Sequence, residues 1–177
     1  MPAIKALLTT GVAYLRSIAA GSGGAAGGPG ITIFSSTAAV ATDDGTLKTL
    51  ISYTLPANTL TRDGDRLEIE GATTQAADAD VKTSAITFGA STAAGRTAAD
   101  NNLGRLLKAT IIRTGAATQL FQGNTETHGN GDVFTVGTAS ETLSGAITIA
   151  LKGQNTTDAT PSSVTSRYLI VKFYPAP

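Results

Sequence analysis

Residues 46–72 read TLKTLISYTLPANTLTRDGDRLEIEGA. In the first half Leu47, Thr49, Ile51, Tyr53 and Leu55 recur at every second position. In the second half Leu67, Ile69 and Gly71 do the same, with Arg66, Glu68 and Glu70 between them. Successive side chains of a strand point to opposite faces, so this spacing predicts two half-buried strands, each with one inward face. Pro56, Asn58 and Arg62-Asp63-Gly64-Asp65 lie between them. Pro removes a ladder donor, and Asn, Asp and Gly suit turns, so that stretch reads as a loop.

The same grammar continues to the end of the chain. Candidate strands are 31–34, 46–55, 66–72, 84–88, 106–113, 118–122, 133–136, 146–151 and 167–174. Asp63-Gly64, Asn101-Asn102 and Asn130-Gly131 punctuate them as turn dipeptides. No long helical period interrupts the series. The expected fold is all-β, an antiparallel, jelly-roll-like β-sandwich of eight or nine strands. The last strand carries Leu169, Val171 and Phe173 on one face and Tyr168, Ile170, Lys172 and Tyr174 on the other. Two largely apolar faces predict a central strand, or one covered by another subunit. Pro175 and Pro177 then end the ladder.

Upstream of the sandwich the composition changes. Residues 21–30 read GSGGAAGGPG, a flexible linker by composition, or glycines packed closely about a symmetry axis. Residues 1–20 carry Ile4, Leu7, Leu8, Leu15 and Ile18 near one helical stripe, but Thr9-Thr10-Gly11 interrupts it. This segment reads as a frayed tail or as an arm that orders against a partner. The expected organisation is an arm at 1–20, a linker at 21–30 and the sandwich at 31–177. Ile4, Leu7, Leu8, Tyr14, Leu15 and Ile18 of the arm, with Tyr168, Ile170 and Tyr174 of the last strand, are the candidate partner-binding residues.

Composition narrows the function. With 13 basic and 13 acidic residues in 177, the chain has no net charge and no basic cluster, so nucleic acid is not an expected partner. No apolar run reaches the length of a membrane span, and Thr9-Thr10-Gly11 and Arg16 break any signal-peptide pattern. Without cysteine there is no disulfide, thiolate nucleophile or Cys-ligated metal. Aromatics are only 5% of residues, so the core is expected to be thin and helped by neighbouring copies.

No residue set converges on catalysis. His128 is the only histidine and sits in the loop composition of Glu126-Thr127-His128-Gly129-Asn130-Gly131-Asp132. A base or metal ligand needs partners, and a solvent-exposed loop histidine accounts for it. Asp43-Asp44, Asp63 with Asp65, and Asp78 with Asp80 each offer oxygens to calcium, but none extends to a full calcium-loop spacing. Turn formation explains them. Glu68 and Glu70 beside Arg66 read as a solvated strand face rather than a glycosidase pair. Ser35-Ser36 and Ser162-Ser163 lack a nucleophile elbow. Residues 21–30 lack the Lys-Ser/Thr ending of a phosphate loop. Asn155-Thr156-Thr157 matches a glycosylation sequon. Tyr53, Tyr168 and Tyr174 offer stacking surfaces, but among strand apolars they read as core or interface.

The runs Thr49-Leu50-Ile51-Ser52-Tyr53-Thr54-Leu55-Pro56-Ala57-Asn58-Thr59-Leu60 and Asp63-Gly64-Asp65-Arg66-Leu67-Glu68-Ile69 resemble a β-sandwich module of tailed-phage virion proteins. So do Ala76-Ala77-Asp78-Ala79-Asp80-Val81-Lys82-Thr83, Ile86-Thr87-Phe88-Gly89, Ile111-Ile112-Arg113-Thr114-Gly115-Ala116-Ala117-Thr118-Gln119 and Ala146-Ile147-Thr148-Ile149-Ala150-Leu151-Lys152-Gly153-Gln154-Asn155. The resemblance implies a module of capsid decoration proteins, head fibres and tail fibres, commonly a trimer. The expected function is a non-enzymatic capsid decoration (cement) subunit, a homotrimer bound to the major capsid protein on the outer virion surface, with no cofactor and no metal. The alternative is a tail or head fibre-tip module that binds host surface glycan through loops at 90–102 and 123–132.

Overall fold

The computed structural model describes residues 30–42, 45–99, 103–127, 131–157 and 163–177. The expected arm, the linker apart from Gly30, Asp43-Asp44, Asn101-Asn102, His128 and Ser162 lie outside the described residues.

Ten strands form: β1 (Ile31–Ser36), β2 (Lys48–Leu55), β3 (Arg66–Gln75), β4 (Lys82–Phe88), β5 (Ser91–Ala98), β6 (Leu103–Gly115), β7 (Thr118–Thr127), β8 (Val133–Ala139), β9 (Ile147–Asn155) and β10 (Val164–Tyr174). One sheet has the order β1-β10-β3-β6-β7-β8 and the other β2-β9-β4-β5, and every pairing is antiparallel. The pairs β1·β10, β2·β9, β3·β6 and β4·β5 are nested in sequence, as in a long ribbon folded over two layers. That is the jelly roll, here with a β7–β8 hairpin added beyond β6.

The interior follows the alternation. Leu67 and Ile69 of β3, Ile111 of β6, Ile149 and Leu151 of β9, and Leu169, Val171 and Phe173 of β10 are buried between the layers. β10 is the expected central strand, flanked by β1 and β3. Tyr53 is half-buried and stacks on Phe34 with ring centroids 4.8 Å apart. On β2 the expectation failed in part. Ile51 and Leu55 are buried, but Leu47 and Thr49 are exposed and Leu50 is buried in their place. The β2–β9 register shifts between Thr49 and Ile51. A bulge there adds one residue and reverses the facing of everything before it.

Residues 90–102 and 123–132 are expected as loops, but Ser91–Ala98 forms a full strand and β7 continues to Thr127. β5 lies over β7 at very short range. A Cβ built on Gly123 would stand 2.0 Å from the Ala93 carbonyl oxygen and 2.8 Å from the Ala94 Cβ. Only a residue without a side chain allows the two layers to approach so closely.

Candidate functional site

The outer face of the six-stranded sheet gathers Arg66, Glu68, Glu70, Tyr168, Ile170 and Tyr174 of the side chains singled out from sequence. Register places them in cross-strand rows running from β10 through β3, β6 and β7 to β8. One row is Tyr174, Arg66, Ile112, Leu120 and Thr138. The next is Lys172, Glu68, Thr110, Gln122 and Val136. The third is Ile170, Glu70, Lys108, Asn124 and Phe134, and a fourth begins Tyr168, Ala72, Leu106, Glu126. The face therefore runs from aromatic and charged on β10 and β3 to an apolar strip made by Ile112 of β6, Leu120 of β7, and Phe134 and Val136 of β8.

The charged half is largely self-neutralised. Tyr168 Oη donates to Glu70 Oε1 at 2.6 Å, and desolvation, then that bond, push its phenol up to about 12. Arg66 stands 4.4 Å over the Tyr174 ring and 3.2 Å from Glu68 Oε1. A hydrogen bond with Glu68, then burial, raises the Tyr174 phenol above its ordinary value. Lys108 donates to Glu126 Oε1 at 2.9 Å, which raises the ammonium. Such exposed pairs contribute little to stability, about 0–1 kcal/mol each. They set orientation: Tyr168, Ile170 and Tyr174, three of the expected partner-binding residues, share this face, with both tyrosines held by carboxylates. The other six, Ile4, Leu7, Leu8, Tyr14, Leu15 and Ile18, lie outside the described residues.

Two hollows open here. The smaller, about 180 Å³, lies among Glu68, Glu70, Lys108, Thr110, Ile170 and Lys172. The larger, about 620 Å³, is a shallow trough bounded by Tyr168, Arg167, Leu106, Glu126 and Asp132, with Thr74 and Gly104 among its lining residues. Its volume falls in the range of about 300–1,000 Å³ usual for small-molecule sites; the smaller hollow does not reach it.

The apolar half is open to solvent. Phe134 is 67% exposed, Val136 79%, Leu120 48% and Ile112 36%. These are four of the six exposed large hydrophobic side chains among the described residues, and all four sit on adjacent strands of one face. Sequence reading found β8 as a strand but not this surface. The pattern was present in VFTVGTA, where Phe134 and Val136 share one face.

The acidic turns have other occupations. Asp65 is fully buried and accepts from the amides of Thr61 at 2.7 Å, Arg62 at 2.8 Å and Ala176 at 2.9 Å. Asp78 receives the ammonium of Lys82, which also donates to the Asp80 carbonyl at 3.2 Å. A buried lysine thus stands where a cation between the two aspartates would sit. Its hydrogen bond holds the Asp78 carboxyl below the usual value. Asn155 is buried too, donating to Asp80 Oδ2 at 2.8 Å and Ser163 Oγ at 3.1 Å, so the sequon nitrogen is out of reach of modification in the folded chain. Arg105, unnoticed in the sequence, is buried at the same end of the sandwich. It donates to the carbonyls of Lys82 at 2.9 Å, Arg96 at 2.8 Å and Ala98 at 3.2 Å, crossing from one sheet to the other.

No family model matches the chain, and no curated protein does. Among solved structures, it is similar to the CBM2 module of the evolved Dit of Lactobacillus casei BL23 phage J-1. The two are 12% identical over 71% of this chain and 69% of that one, with a TM-score of 0.36. A likeness so distant carries no functional argument.

Proposed function

We propose that this chain is a non-enzymatic structural protein of a tailed-phage virion, a capsid decoration subunit that holds to the shell and to its own copies. The observation that carries this reading is the uncovered apolar strip of Ile112, Leu120, Phe134 and Val136 on a sheet face with little other exposed apolar surface. Contiguous exposed apolar area of this kind marks a contact surface. The carboxylates at Asp65, Asp78 and Glu70 are each engaged by backbone amides, an ammonium or a phenol, which leaves them to structural work. The resemblance of residues 46–174 to phage virion modules supports the particle setting.

In this reading residues 1–20 dock on the major capsid protein and 21–30 supply reach, about 18 Å root-mean-square for ten flexible residues. Many copies on one particle turn weak single contacts into firm attachment. Removal of residues 1–20 is expected to abolish co-sedimentation with capsids while leaving a β-type circular dichroism spectrum. Retained co-sedimentation would sink the role of the arm.

The trough beside Tyr168 favours a second reading, a fibre-tip module that binds host glycan. Its aromatic wall and flanking Arg167, Glu126 and Asp132 offer stacking and hydrogen bonds to hydroxyls. A glycan array with the chain and with Tyr168→Ala separates the readings: signal lost in the variant supports this one, and a blank array removes it.

A further inference from the structure

We infer that β8 pairs with β8 of a second copy about a two-fold axis centred on Thr135, joining two six-stranded sheets into one. The occupant follows from the strand itself. β8 is the last strand of its sheet, and no described strand pairs with its outer edge. Natural edge strands are usually guarded by charge, proline or a bulge. β8 reads VFTVGTA, with no charged residue, no proline and a regular register against β7.

An isologous contact requires the same surface to fit itself. Antiparallel pairing centred on Thr135 sets Phe134 opposite Val136 of the second copy, and Val136 opposite its Phe134. Aromatic against β-branched is among the favourable cross-strand pairs. On the inner face the same register sets Val133 against Gly137 of the second copy, bulk against absence of bulk. Centring on Phe134 instead would set Val136 beside Asp132, and centring on Val136 would set Phe134 beside Thr138. The Thr135 register alone matches both apolar residues at once. It also brings no like charges together, because β8 has none.

The exposed apolar area of the strip is a few hundred Å², below the roughly 800 Å² per partner of a standard interface. The pairing is therefore expected to be concentration-dependent in solution. It does not depend on where on a particle the protein sits.

Sedimentation equilibrium of the full chain across the micromolar range tests this. The expected result is a shift from 17.8 kDa to twice that mass. Val136→Lys is expected to remain monomeric, since it puts a hydrated ammonium, the usual guard of an edge strand, into the paired row. Phe134→Glu combined with Val136→Lys is expected to recover the dimer in low salt and lose it at high salt. In the Thr135 register each new carboxylate faces a new ammonium across the axis. Phe134→Glu with Val136→Glu is expected to remain monomeric. Both positions are exposed, and circular dichroism of each variant confirms folding. A chain that stays at 17.8 kDa throughout, an association that Val136→Lys leaves intact, or a double charge variant that fails to recover would each overturn the pairing. A trimer mass would overturn it while leaving the virion reading standing.

Discussion

Asp65 and Ala176 lie 111 residues apart in sequence, and the carboxylate of the first accepts the amide of the second at 2.9 Å. With the Thr61 and Arg62 amides on its other oxygen, Asp65 joins the β2–β3 loop to the end of β10. A buried acceptor of three N–H groups is not replaceable by an amide, which must turn a donor toward donors. Asp65→Asn is expected to destabilise the fold by about 3 kcal/mol, read from the urea midpoint. A loss under about 1 kcal/mol would show that the clamp is dispensable.

Gly123 tests the contact between β5 and β7. A side chain there meets the Ala93 carbonyl, which is backbone and has nowhere to go. Gly123→Val is expected to cost about 3 kcal/mol or to prevent folding, measured by thermal unfolding beside the wild type. An unchanged melting temperature would mean that β5 does not lie over β7 as described.

Tyr168 predicts an alkaline limb. Its acid form is neutral and its folded value is raised from 10.0 to about 12, so the folded state favours the proton. The stabilisation is whole below pH 10 and is lost as pH climbs toward 12. Ultraviolet titration of the phenols should show a late component that Tyr168→Phe removes. Glu70→Gln should move that component to lower pH without returning it to the ordinary value, because burial remains. A late component unaffected by Tyr168→Phe would refute the assignment.

Asp78 sets the opposite limb. Its folded value lies below the usual 3.8 because Lys82 bonds the carboxylate, so its contribution is present above about pH 4 and fades as pH falls. Asp78→Asn should lower stability at neutral pH and flatten the acid-unfolding profile. Lys82→Met should also remove the dependence on Asp78. An acid profile steeper in Asp78→Asn than in the wild type would contradict the sign.

Much of this architecture is legible in residue order. The alternation in β3 points Leu67 and Ile69 inward, and in β10 it sets Leu169, Val171 and Phe173 on one shared face without saying which face is inward; the structure buries all five. β10 emerged as central for the same reason, since both its faces are largely apolar. Such inferences succeed because a strand's facing is a local property with a period of two.

What stayed hidden is non-local. β5 reads STAAGRTA, small side chains with no apolar alternation, and it becomes a strand through pairing with β4. The bulge that exposes Leu47 arises from register against β9. Arg105 and Lys82 look like surface residues in one dimension, yet they are buried where carbonyls from other strands and an aspartate meet their charge. The openness of Phe134 and Val136 depends on β8 being the last strand of its sheet, which no local pattern states. Alternation thus determines which way each side chain points along a strand. Long-range pairing determines what, if anything, stands opposite it, because the free energy of burial belongs to the contact and not to the residue.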